Sequence, residues 1–218
     1  MLVQERMTPD PITVSPDMPV PHALRLMREK KVRRFPVVDS HGALVGIVSD
    51  KDLLHASPSP ATTLSMWEIP DLLSRIHISH VMSPNVITVS ADTPLEEAAR
   101  LMADKKVGGL PVMEGERLVG IITETDLFKA LLEMLGGRRP GVRVAVAVPA
   151  IKGVLSRVTT AIFEVGGNIV GLGMKGINGS YGDKAEIVLK VQDVPMDKLV
   201  AALEPVVDGI MDVREIAA

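Results

Sequence analysis

The sequence contains no cysteine and few aromatic side chains: one Trp, one Tyr and three Phe among 218 residues. Without thiols there are no disulfides, no thiolate nucleophile and no cysteine-held zinc or iron–sulfur site. With only Trp67, Tyr181, Phe35, Phe128 and Phe163 available, stacked-base recognition has no platform, and the cores must be built from Val, Ile, Leu, Ala and Met. A surplus of one charge is also missing. The net charge of −3 leaves no global electrostatic footprint for nucleic acid. No uninterrupted apolar run approaches the roughly 20 residues needed to span a bilayer. Glu5 and Arg6 stand where a signal peptide would need its apolar stretch. The expectation is a cytoplasmic chain with no membrane or nucleic-acid partner, long enough for one large domain or two to three small ones.

What the chain does have is an internal repeat. The stretch from Met7, MTPDPITVSPDMPVPHALRLMREKKVRRFPVV, aligns with MSPNVITVSADTPLEEAARLMADKKVGGLPVM from Met82, at one constant offset through Pro36 and Pro111. One residue drops out in a turn, and the match resumes with LVGIVSDKDLL from Leu44 against LVGIITETDLF from Leu118. Within each copy ITVS (residues 12–15 and 87–90) is β-prone. Ala23, Leu26 and Met27, matched by Ala98, Leu101 and Met102, have helical spacing, and Pro19 and Pro94 fall where a first helical turn tolerates proline. Two short strands follow around a turn, then a helix from Lys51 and from Thr125, the second stopping near Gly136. Each repeat therefore reads β–α–β–β–α.

Residues 55–77, between the copies, open with proline-rich turn chemistry and then carry Leu64, Trp67, Leu72, Leu73 and Ile76; they read as a connector with a short helix. LGGRRPG, from Leu135 to Gly141, is a second break in composition and reads as a linker. Beyond it the patterns predict a strand at 143–148, a helix at 153–165, strands at 168–174 and 185–191, a helix at 196–203 and a strand at 209–216. That is β–α–β–β–α–β, the ferredoxin-like split unit.

The chemistry concentrates at two strand-to-helix junctions, Ser49-Asp-Lys-Asp52 and Thr123-Glu-Thr-Asp126. Both fit a capping box, in which the hydroxyl caps the helix and the acid three residues on returns a bond. A carboxylate there can also accept both hydroxyls of a ribose, and the helix N-terminus and neighbouring hydroxyl suit a phosphate. Both readings can hold together. Only the first copy carries a basic run: Arg28, Lys30, Lys31, Arg33 and Arg34 lie opposite a stretch ending in Gly108 and Gly109. The first three read as a solvated face. Arg33 and Arg34, next to a strand, suit bidentate contact with phosphate and predict a stronger phosphorylated-ligand site on the first-repeat side.

With these motifs in place, residues 1–135 resemble a pair of CBS domains, the tandem known as a Bateman module. The resemblance implies a cleft for an adenosine-type ligand, such as AMP, ADP, ATP, S-adenosylmethionine or NAD. It implies that Asp52 and Asp126 hold ribose, that Ser49 and Thr123 support ribose or phosphate, and that Thr13 and Thr88 face the clefts. Arg34, before Phe35-Pro36, matches a position that often meets phosphate, with Arg33 beside it, and Phe35 is the one aromatic near a proposed cleft. The C-terminal stretch PAIKGVLSRVTTAIFEVGGNIVGLGM resembles an ACT domain. Its implied effector positions are Gly153 and Asn168, and a dimerising sheet without ligand is an equal reading, because the usual acidic turn residue is replaced in Pro149-Ala-Ile-Lys-Gly153.

The two modules together resemble the acetoin-utilisation AcuB-like family. The implied fold is α+β: CBS repeats at 1–57 and 78–136, a connector at 58–77, a linker at 137–141 and an ACT-like unit at 142–218. The implied protein is a non-enzymatic sensor, cytoplasmic, a homodimer or higher homo-oligomer, with no catalytic cofactor and an unnamed protein target. The alternative is an interaction scaffold without a small-molecule ligand. Other motifs carry little. Gly171-x-Gly173-x-x-Gly176 lacks the following helix that a dinucleotide site requires. His77 and His80 have no third ligand nearby for a metal. Asn178-Gly-Ser180 fits a glycosylation acceptor with no use inside a cell. No nucleophile elbow or Walker loop is present.

Overall fold

The computed structural model describes residues 1–56, 75–176 and 184–217, and the chain forms two compact units, Met1–Leu127 and Phe128–Ala218. Most of the predicted connector, with Trp67, lies outside the described residues, as do Tyr181 and the 178–180 motif.

The first unit holds both repeats. Repeat one contributes β1 (Thr8–Pro9), α1 (Val20–Lys30), β2 (Arg34–Val38), β3 (Leu44–Ser49) and α2 (Asp50–His55). Repeat two contributes β4 (Val89–Ser90), α3 (Leu95–Lys105), β5 (Gly109–Glu114), β6 (Arg117–Thr123) and α4 (Glu124–Met134), which runs on into the second unit. The helices bury matching faces, Val20, Ala23 and Met27 against Leu95, Ala98 and Met102, as a 3.6-residue period requires. Pro19 and Pro94 stand one position earlier than expected, as N-caps in extended conformation. A ring without an N–H loses nothing there, outside the first helical hydrogen bonds. The ITVS segments make less strand than their composition suggests. The first copy forms only a parallel bridge, Val14 to Val37, and the second forms two residues, parallel to β5.

Each repeat closes the other's sheet. Strand β1 pairs antiparallel with β6, Thr8 opposite Ile121, while Ser83 at the head of repeat two bridges Ile47 in β3. The crossing explains the glycine in both Leu-Val-Gly-Ile runs. A β-carbon on Gly120 would lie 2.4 Å from the Met7 sulfur, and one on Gly46 would lie 2.5 Å from the Met82 sulfur. The small residue lets the partner repeat's methionine lie against the strand.

The second unit follows the predicted order: β7 (Gly141–Pro149), α5 (Val154–Glu164), β8 (Asn168–Lys175), β9 (Lys184–Gln192), α6 (Met196–Leu203) and β10 (Gly209–Ile216). The sheet order is β10-β7-β9-β8, the ferredoxin-like arrangement. Val144, Val146, Ile187 and Leu189 share a core with Val158, Ile162, Leu199 and Leu203 of the two helices, and full burial of each aliphatic side chain is worth about 1.5–3 kcal/mol. Gly171 and Gly173 lie inside β8, not at a strand-to-helix turn. A β-carbon on Gly171 would stand 2.3 Å from the Leu135 carbonyl carbon, so this glycine admits the backbone of a stretch that composition alone reads as linker.

Candidate functional site

Two clefts open within the first unit, related by the same offset as the repeats. The first, about 510 Å³, is walled by the Ser49–Asp52 turn of repeat one and by residues 85–87 and 106–109 of repeat two. The second, about 370 Å³, is walled by Thr123, Thr125 and Asp126 of repeat two and by residues 10–12 and 31–35 of repeat one. Both volumes suit a nucleoside-sized ligand. The exchange of leading segments creates this pattern, because it carries Asp10 and Ile12, and their counterparts Asn85 and Ile87, onto the opposite repeat's hydroxyl–aspartate turn.

The first turn is a reciprocal capping box, and the second shows the same acid-accepting half. Asp52 Oδ2 accepts from the Ser49 backbone N–H at 2.8 Å and the Ser49 hydroxyl at 2.7 Å, while Ser49 Oγ accepts from the Asp52 N–H at 3.3 Å. Asp126 Oδ2 accepts from the Thr123 N–H at 3.0 Å and its hydroxyl at 2.6 Å. In each turn these bonds use a single carboxylate oxygen. Neutral-to-charged bonds of this length hold the carboxylate rigidly at the cleft wall, which is what a ribose acceptor requires.

Arg33 and Arg34 line both clefts. Arg33 Nη2 donates to Thr125 Oγ1 at 3.2 Å, tying repeat one to repeat two at the second cleft. Arg34 reaches the other way. Its Nη2 lies 2.0 Å, and Glu124 Oε2 2.9 Å, from where a Gly108 side chain would begin. Gly108 is thus the space through which an arginine of repeat one enters the first cleft, rather than merely a position without charge.

Of the other residues singled out in the sequence, Phe35 borders the second cleft and is fully buried. Thr13, Thr88 and Pro36 line neither cleft. Ile12 and Ile87, the preceding residues, do, because successive side chains of an extended segment point to opposite sides. Pro36 lies buried in β2, where its carbonyl accepts from the Val14 N–H. Gly153 and Asn168 do not converge within one chain. Gly153 follows the end of β7, whereas Asn168 pairs with Gln192 beside the start of β7. β7 and β8 both pair antiparallel with β9, so they run the same way and their starts share one edge of the sheet.

Lys31, which the sequence places on a solvated face, lines the second cleft instead, and Lys106, its counterpart in repeat two, lines the first. Each caps the C-terminus of its helix in left-handed conformation, φ 53° and 54°, and each lines a cleft. Their recurrence in both copies, in Lys-Lys-Val, was the available signal. His77 and His80 face each other at 5.9 Å between ring centroids, and among the described residues no group of three or more acidic or histidine side chains is placed to hold a metal. Among the described residues no helix is long and apolar enough to cross a membrane.

A family model described as CBS domain matches residues 3–59 and 78–133. A CBS domain-containing protein of Dictyostelium discoideum is 35% identical over 136 residues, 62% of this chain and 94% of that protein. Among solved structures, CBSX2 in complex with AMP is 35% identical and superposes with a TM-score of 0.51 over 60% of this chain and 96% of its own. A CBS domain pair in complex with 5′-methylthioadenosine and S-adenosyl-L-methionine is 27% identical, with a TM-score of 0.52 over 64% of this chain and 98% of its own. A Vibrio cholerae protein described as an acetoin utilization protein (AcuB) is 33% identical, with a TM-score of 0.50 over 60% and 89% of the two chains.

Proposed function

The chain belongs to the CBS-domain family, and from that premise we propose that it is a non-enzymatic regulatory protein whose paired clefts bind adenosine-type ligands. The observation that carries this reading is the pair of symmetry-related clefts, each walled by a hydroxyl–aspartate turn and supplied by Arg33 and Arg34. In this reading Asp52 and Asp126 accept the ribose hydroxyls, Ser49 and Thr123 hold those carboxylates in place, and the arginines meet phosphate. The solved CBS pairs carrying AMP, 5′-methylthioadenosine and S-adenosyl-L-methionine support the ligand class. Ligand binding then shifts the balance between arrangements of the protein by its differential affinity for them.

The remaining parts of the reading rest on resemblance. We take 1–57 and 78–136 as the CBS repeats, 58–77 as connector, 137–141 as linker and 142–218 as an ACT domain. An amino-acid site using Gly153 and Asn168 would need a second chain, since they lie at opposite ends of one sheet. Phe128 and Phe163, 65% and 78% exposed, suit homo-oligomerisation, and similarity to the Vibrio cholerae protein favours a role linked to acetoin use. The scaffold reading has one observation in its favour: at both junctions the aspartate is already engaged by the backbone N–H and hydroxyl of the residue three before it.

A thermal-shift panel of AMP, ADP, ATP, S-adenosylmethionine, NAD and amino acids decides between them. At least one adenosine-type ligand raises the unfolding temperature if the chain is a sensor, and none does up to millimolar concentration if it is a scaffold. Asp52→Ala removes both cap and ribose acceptor. Asp52→Asn keeps a side-chain oxygen that accepts from Ser49 but loses the charged acceptor, so relative to the alanine variant it restores stability without restoring affinity.

A further inference from the structure

Among the described residues only Arg33 and Arg34 border both clefts, and the charge of each cleft depends on them. Without them, the first cleft has Lys51 and Lys106 against Asp50, Asp52 and Glu124. The second has Lys31 against Asp10 and Asp126. Each is then short of one positive charge, and each turns net positive only when both arginines are counted toward it. The same two guanidinium groups cannot serve two phosphates at full strength, because each pairs bidentately with one anion at a time. In the structure they are divided, Arg34 toward Glu124 in the first cleft and Arg33 on Thr125 in the second.

We infer that the two clefts compete for this arginine pair, so that a phosphorylated nucleoside in one weakens the binding of a second phosphorylated nucleoside in the other. The inference rests on the nucleoside-binding reading above and deepens it. An uncharged nucleoside draws neither arginine and meets no such penalty. The doubly filled protein therefore favours one phosphorylated and one uncharged or cationic nucleoside, and by reciprocity each cleft reports the occupancy of the other.

The test is calorimetric titration of the full chain with AMP and with adenosine, alongside Asp52→Ala and Asp126→Ala, which each leave one cleft. Competition makes the second AMP step of the unmodified chain at least about fivefold weaker, beyond the statistical factor, than AMP binding to the weaker single-cleft variant. Adenosine shows no such gap, and Arg34→Ala abolishes the gap for AMP. Arg34→Gln, which retains the stem and a hydrogen-bonding head, gives the same result where the alanine variant does not fold. A second AMP step equal to the weaker single-cleft affinity overturns the inference, as does a gap that persists with adenosine or in both Arg34 variants. Binding without coupling overturns the shared-arginine inference alone, whereas binding of neither probe overturns the nucleoside reading and this inference with it.

Discussion

Lys31 and Lys106 hold a conformation that costs an L-residue about 1–2 kcal/mol, at a helix-end position that glycine commonly occupies. Both lysines border a cleft, and strain of this kind persists where the surroundings over-determine it and often marks a functional site. Lys106→Gly is therefore expected to stabilise the chain by about 1 kcal/mol in urea unfolding, while weakening AMP at the first cleft in calorimetry. Loss of stability, or unchanged affinity, would leave the lysine a plain helix cap. Lys190 is a different case. It is 4% exposed, and burial, with Arg143 nearby, pushes its ammonium below the usual lysine range, so it belongs to the packing of the second unit rather than to a cleft.

Strands and helices carry two further consequences. The β1–β6 pairing depends on Gly120, with the Met7 sulfur and the Thr8 carbonyl oxygen both close to where a side chain would begin. Gly120→Val is expected to destabilise by about 1–3 kcal/mol through overpacking. Because that strand forms a wall of the second cleft, the variant also weakens ligand binding there more than at the first, by titration of the single-cleft variants. In the second unit, β10 is tied to β7 by Asp212, which accepts from Arg214 and Arg143. Arg214 first, and then Arg143, hold its carboxyl below the ordinary aspartate range. A lowered folded value means the stabilisation is complete above the unfolded pKa of about 4 and is lost as pH falls through the folded value. Asp212→Asn should flatten that acid-side loss of stability in denaturant titrations at descending pH; an unchanged slope would assign the loss to other carboxylates.

Across the whole molecule, ligand binding is expected to act unevenly. AMP at a hundred times its Kd adds about 2.7 kcal/mol to the stability of the form that binds it. In hydrogen exchange that protection should fall on 49–52 and 85–87 at the first cleft and on Asp10, Ile12, Thr123, Thr125 and Asp126 at the second, where both repeats meet each cleft. Protection confined to 49–52 would mean that the leading segments take no part in binding. The ferredoxin-like unit has its own core and sheet, so ligand at the clefts is expected to leave exchange in β7 and β9 unchanged, and protection there would overturn that independence.

Much of this was legible in the order of residues. The repeat, the hydroxyl–aspartate junctions and the β–α–β–β–α–β order are local patterns, set by periodicity, turn chemistry and capping. Met196–Leu203 and Gly209–Ile216 form at the predicted bounds, for their apolar spacing and flanking residues agree. What folding alone decided is which distant residues meet. The repeats exchange leading segments, so Asp10 faces Asp126 instead of Asp52. Gly108 opens a passage for Arg34, and the parallel run of β7 and β8 parts Gly153 from Asn168. Residue order encodes such contacts only through the packing of side chains far apart along the chain. The sharing of two arginines between two clefts therefore emerges only when both repeats are folded together.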